Sequence, residues 1–226
     1  MASRVRTLDA STGFSQSEGM KPALIFVLGL LVSFPVLGGK PVPLFDGKSF
    51  KGWDGDTQKT WRIVDGTIQG GSLTTMVPRN EFVATTQSFT NFIVRAKFKL
   101  EGTEGFVNSG IQVRSQRVPN DSEMIGYQAD IGDGWWGALY DESRRNKVLA
   151  KPSDAEMGKP VKKGQWNDYE VRCEGPRLIL KINGVTTVDY TEKDPSIPQH
   201  GRIGLQVHGD GKTLVSFKDV TVEVLP

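Results

Sequence analysis

Among its 226 residues the chain has one cysteine, Cys173, and two histidines, His200 and His208. A single thiol forms no internal disulfide, so even in an oxidising compartment the fold stands on its packed core. Cys173 shares its alternation phase with Tyr169 and Val171, the pattern of a buried thiol rather than of a nucleophile. An excess of one charge sign is also lacking. With 28 basic against 26 acidic residues, the formal charge of +2 offers no broad electrostatic footprint for nucleic acid or an anionic membrane surface. There is no Gly-x-Ser-x-Gly elbow and no phosphate-cradling glycine loop. Neither histidine has a partner at zinc-motif spacing; a divalent metal is expected only if Asp130, Glu142 and His208 converge in space, and no organic cofactor is expected.

One long apolar run is present, and it lies at the front. Met20-Lys21-Pro22 precedes the apolar stretch Ala23 to Leu37 and then Gly38-Gly39. A basic start, an apolar segment of about 15 residues and small residues at its end describe a secretory signal peptide, too short for a comfortable membrane span. An uncleaved anchor is the alternative. Residues 1–39 are therefore assigned to an extension plus signal, and 40–226 to a single exported domain with no membrane span of its own.

From Lys40 onward no stretch carries apolar residues at helical spacing. Short alternating runs broken by Gly, Asn, Asp and Pro predict an all-β fold. Phe92, Val94, Ala96, Phe98 and Leu100 alternate with Ile93, Arg95, Lys97 and Lys99, as in a strand with one face in the core. Asp65-Gly66 and Asn183-Gly184 sit where tight hairpin turns require positive φ. Ten or more strands in one domain predict an antiparallel sandwich of two sheets.

The outward faces of three segments are crowded with hydrogen-bonding groups. Where Ile111 and Val113 point inward, Asn108, Gln112 and Arg114 are expected outward; Gln128 and Asp130 separate from Tyr127, Ala129 and Ile131; Gln206 and His208 separate from Leu205 and Val207. If these strands share a sheet, they present a patch suited to a polyhydroxylated ligand, with Trp135, Trp136 and Tyr140 available to cover a sugar ring. Asp141 to Asn146 reads as a charged loop at its mouth. That loop supplies a carboxylate for proton transfer, Glu142, and an arginine for developing negative charge, Arg144.

These residues belong to a recognisable series. Pro43-Leu44-Phe45-Asp46-Gly47-Lys48, Gly52-Trp53, Asn108-Ser109-Gly110-Ile111, the run GYQADIG at 126–132, WGALYDESRRN at 136–146, Trp166-Asn167 and IGLQVHG at 203–209 resemble the 3-keto-disaccharide hydrolase family. The resemblance implies a concanavalin A-like jelly roll and cleavage of a glycoside whose sugar carries a ketone at C3. That ketone acidifies the C2 proton, so a base can remove it and expel the aglycone from C1. The roles this implies are Asp130 or His208 as base, Arg114 or Arg144 as enolate stabiliser and Glu142 as acid. Direct hydrolysis by Asp130 with Glu142 or Glu123 is a variant. A non-catalytic carbohydrate-binding module is the rival expectation, since Asn108, Gln112, Arg114, Gln128, Trp136, Tyr140 and Gln206 suffice to hold a sugar.

Overall fold

The computed structural model describes residues 39–226, and the expected signal segment lies outside them. No helix among the described residues is long and apolar enough to cross a membrane. Fifteen strands follow one another: β1 Val42–Pro43, β2 Trp53–Asp54, β3 Trp61–Val64, β4 Thr67–Gly71, β5 Glu81–Phe89, β6 Phe92–Gly105, β7 Asn108–Arg117, β8 Met124–Gly132, β9 Leu139–Glu142, β10 Lys147–Ala150, β11 Asn167–Glu174, β12 Arg177–Ile182, β13 Val185–Thr191, β14 Gly201–Val207 and β15 Gly211–Val224. They form two antiparallel sheets, the sandwich expected from the alternation. One has the order β13-β12-β11-β6-β15-β4-β3, with β1 also on β15; the other has the order β10-β9-β8-β7-β14-β5-β2.

The two expected hairpin turns are present. Asp65 and Gly66 take φ of 48° and 72°, Asn183 and Gly184 take 49° and 80°, and the strands they join pair as β3 with β4 and β12 with β13. Apolar residues of one alternation phase from each sheet fill the space between them: Ile111, Val113, Ala129, Ile131 and Leu205 from one, Phe98, Tyr169, Leu180 and Phe217 from the other. Cys173 lies in that core without a disulfide partner. The Tyr169 hydroxyl crosses the core to donate to the Asp130 carbonyl at 3.3 Å. This bond ties β8, the strand central to the site, to the opposite sheet.

Candidate functional site

The second phase of β7, β8, β9 and β14 faces away from the core and meets across the sheet. In register, Gln112 lies opposite Gln128 and Gln128 opposite Tyr140. Gly126 lies opposite Glu142. Gly110 separates Asp130 on one side from Gln206 on the other. Only glycine fits at 110, because a Cβ there would stand 2.6 Å from Gln128 Cγ. The missing side chain lets the Gln128 stem lie flat over β7.

The polar groups so gathered form a chain. The Ser115 hydroxyl donates to Gln112 Oε1, Gln112 Nε2 to Gln128 Oε1 at 3.0 Å, and Gln128 Nε2 to Asp130 Oδ1 at 2.9 Å. At its end, Asp130 Oδ2 has no hydrogen-bond partner, and neither do the two amide atoms of Gln206, all of them buried. Buried polar atoms of this kind carry a desolvation cost unless something pairs with them.

Above this floor is a cavity of about 210 Å³ lined by Phe106, Asn108, Gln128, Asp130, Trp135, Tyr140, Glu142 and His208. Its wall is a series of edge-to-face rings: His208 to Phe106 at 4.6 Å between centroids, Phe106 to Trp135 at 6.4 Å and Trp135 to Tyr140 at 5.9 Å. Burial pushes the Asp130 carboxyl well above the ordinary carboxylate range, and the charge of Glu142 adds to the effect. Burial, reinforced by the Glu123 carboxylate, pushes Glu142 up to about 7. Burial also raises Glu123.

His208 is oriented from behind. Its Nδ1 lies 2.7 Å from the Gly209 carbonyl; a carbonyl only accepts, so Nδ1 carries a proton, and in the neutral ring the lone pair is on Nε2. Asn80 holds this corner by accepting from the Gly209 amide at 3.0 Å and donating to Glu123 at 3.2 Å. Among the described residues no group of three or more His, Cys, Asp or Glu stands close enough to hold a metal ion.

Four sequence expectations need correction. Arg114 leaves the outward face: β7 shifts register between Val113 and Gln116, Arg114 takes φ of 50°, and its guanidinium donates to the carbonyls of Thr90 and Gly175. Arg144 is turned to the other side of β9, where it pairs with Asp141 at 2.7 Å and covers the Tyr127 ring at 4.6 Å. Trp136 belongs to the core, stacked on Phe98 with centroids 6.4 Å apart; Trp135 is the indole in the cavity. Asp141 and Glu142 belong to a strand rather than a loop. Gln112 and Gln206 are fully buried beneath the cavity and support its floor. Phe106 was not anticipated, because it sits between β6 and β7, where alternation has no phase to read.

Residues 40–223 match the sequence profile of the 3-keto-alpha-glucoside-1,2-lyase-like domain. The chain belongs to that family. The lyase-like domain therefore spans nearly all of the described residues and is carbohydrate-related. Comparison with curated proteins gives no match. Solved structures that share the fold include a proposed glycosyl hydrolase from Parabacteroides distasonis, with 22% identity, 83% of this chain and 94% of that chain covered, and a TM-score of 0.61. Carbohydrate-binding module CBM66 from Bacillus subtilis has 20% identity, 76% and 95% coverage and a TM-score of 0.59. The lumenal domain of VIP36 in a form bound to Ca2+ and Man3GlcNAc has 14% identity, 80% and 87% coverage and a TM-score of 0.55. At these identities the likeness is one of fold, a lectin-like jelly roll.

Proposed function

We propose that the cavity binds the oxidised ring of a 3-keto glycoside and breaks its C1–O bond by elimination. The observation that carries this reading is one cavity holding an imidazole whose Nδ1 is fixed from behind beside two carboxyls whose hold on a proton burial strengthens. The cavity falls below the roughly 300–1,000 Å³ of drug-sized ligand sites and suits a single sugar ring.

In the proposed step His208 Nε2 takes the proton from C2. The electron pair of that C–H bond forms a C1=C2 double bond as the C1–O bond breaks. Asp130 accepts from Gln128 at Oδ1, so its proton is carried on Oδ2, where it donates to the oxygen at C3 as negative charge gathers there. Glu142, poised near neutrality, protonates the departing oxygen. The products are an unsaturated 3-keto sugar with a hydroxyl on C2 and the free aglycone; later addition of water across the double bond completes a net hydrolysis.

The test is turnover of a 3-keto-glucoside by wild type, Asp130→Asn and His208→Ala, with folding checked by circular dichroism. Wild type is expected to release the aglycone, and each variant to lose at least about a hundredfold. Absence of turnover by folded wild type on any 3-keto glycoside, with sugars still retained on an affinity matrix, replaces the enzyme by a binding module. That second reading draws on the aromatic wall of Phe106, Trp135 and Tyr140 and on the Asn108 and Gln128 amides at the cavity, which serve binding without any base.

Export belongs to the same proposal and draws on the segment from Met20 to Gly39. The intact mass of protein recovered outside the cytoplasm is expected to begin near Gly38-Gly39. A secreted mass that still includes Met20 to Leu37 overturns cleavage there.

A further inference from the structure

We infer that Asn80 is a positioning residue for His208: it fixes the turn whose carbonyl holds the imidazole, and so decides which ring nitrogen keeps the proton. Its effect on rate rests on the reading of His208 as the base; its effect on the ring does not. His208 follows β14 directly, where the sheet no longer sets the direction of a side chain. Its main chain is held by donation from the His208 N–H to the Asn108 carbonyl at 3.1 Å, and its ring meets Phe106 edge-to-face with centroids 4.6 Å apart. An apolar ring accepts either edge of an imidazole, so this contact leaves ring flip and tautomer open. The Gly209 carbonyl, 2.7 Å from Nδ1, closes that choice.

What aims that carbonyl is the segment before β5. The Asp210 N–H, on the same peptide, donates to the Val77 carbonyl at 2.8 Å, and the Gly209 N–H donates to Asn80 Oδ1 at 3.0 Å. Glycine makes this approach possible, because a Cβ at 209 would stand 2.7 Å from Arg79 Cα. The other end of the Asn80 amide is tied down as well. Asn80 Nδ2 donates to Glu123 Oε2 at 3.2 Å, and Glu123 Oε1 accepts from the Met124 N–H at 3.1 Å. Burial raises the Glu123 carboxyl, while the hydrogen bonds from Met124 and Asn80 favour its ionised form. An ionised carboxylate only accepts, so the nitrogen of the Asn80 amide stays toward Glu123 and the oxygen toward Gly209. The series from Glu123 through Asn80 and Gly209 thus does for His208, through a backbone carbonyl, what a directly bonded carboxylate does for the histidine of a catalytic triad: it fixes one tautomer and one direction.

The experiment reads the ring directly. With only His200 and His208 in the chain, nitrogen NMR of the folded protein resolves both imidazoles, and His200→Gln, at an exposed position, assigns them. Wild type is expected to hold the neutral His208 ring with its proton on Nδ1 alone. Asn80→Ala should divide that proton between Nδ1 and Nε2 and lower kcat on a 3-keto-glucoside about tenfold, with KM within about twofold. Asn80→Asp sets a carboxyl against Glu123 and should disturb the ring in the same way. Combined with Glu123→Gln, it reverses the donor and acceptor of that link while keeping an acceptor for the Gly209 N–H, and should return the proton to Nδ1. Arg79→Ala, whose side chain is 67% exposed in the same segment, is the control and should leave ring and rate unchanged. A His208 ring that keeps its proton on Nδ1 in Asn80→Ala overturns the positioning role, as does a disturbance that the double variant fails to reverse or that Arg79→Ala reproduces. A disturbed ring with kcat unchanged removes His208 as the base and Asn80 from the rate together. If wild type turns over no 3-keto glycoside, the elimination reading fails alone, and the ring states still decide whether Asn80 sets the imidazole. Should Asn80→Ala fail to fold by circular dichroism, Asn80→Asp with and without Glu123→Gln makes the same comparison.

Discussion

Glu142 is the residue whose behaviour with pH is easiest to read. Its carboxyl titrates at about 7 in the folded chain against an ordinary value of 4.5. The folded state therefore binds more protons than the unfolded state between those values, and stability falls as pH rises through that window. Denaturant unfolding at pH 5 and at pH 8 should show the chain weaker at pH 8, with Glu142→Gln removing ~2 kcal/mol of the difference. Asp130 shifts in the same direction and accounts for further decline. Turnover should decline above about pH 7 as Glu142 loses the proton it donates, and a rate that instead climbs steadily to pH 9 would rule it out as the acid.

At the scale of elements, β9 is held in place by charges on the face opposite Glu142. Asp141 is fully buried between Arg144 and Arg145. Arg145 reaches on to Glu192 at 2.7 Å, which accepts from the Tyr127 hydroxyl at 2.7 Å. Removing one partner of a buried ion pair strands the other charges, so Asp141→Ala should cost about 3–5 kcal/mol in denaturant unfolding. Arg144→Ala separates two roles: placed as it is, it should lower stability while kcat on the folded enzyme changes less than about threefold. Gly110→Ala drives a methyl into Gln128 and is expected to cost about 1–3 kcal/mol, read as a lowered Tm and weakened sugar binding.

Period-two alternation was enough to identify β6, β7, β8 and β14 and the faces of Gln112, Gln128, Asp130 and Gln206, because a strand with one face in the core has only one tolerable register. It misplaced Arg114, since a bulge is a backbone event with no side-chain signature and it reversed the phase just before that residue. It assigns Asp141 and Glu142 to the charged loop that runs on to Asn146, although both end the strand Leu139–Glu142, because the Asp141 charge that marks a loop is here neutralised by pairing inside the fold. Trp135 and Trp136 are adjacent in a turn, where nothing in the sequence says which indole goes inward.

Over the whole molecule, the two sheets enclose a core without a covalent staple. Burial pushes the Cys173 thiol up to about 12, so alkylation of the native protein should be slow and should follow global opening. Labelling rates across a denaturant series are expected to track the unfolding free energy; rapid labelling without denaturant would contradict the burial. The same enclosure separates the indoles by environment. Trp53, Trp61 and Trp136 are buried in the interior, while Trp135 stands in the cavity between Phe106 and Tyr140. A sugar ring laid against that wall changes the surroundings of one emitter and leaves those three in the dark of the core, so the protein carries a built-in optical gauge of occupancy, readable by intrinsic fluorescence without dye or label.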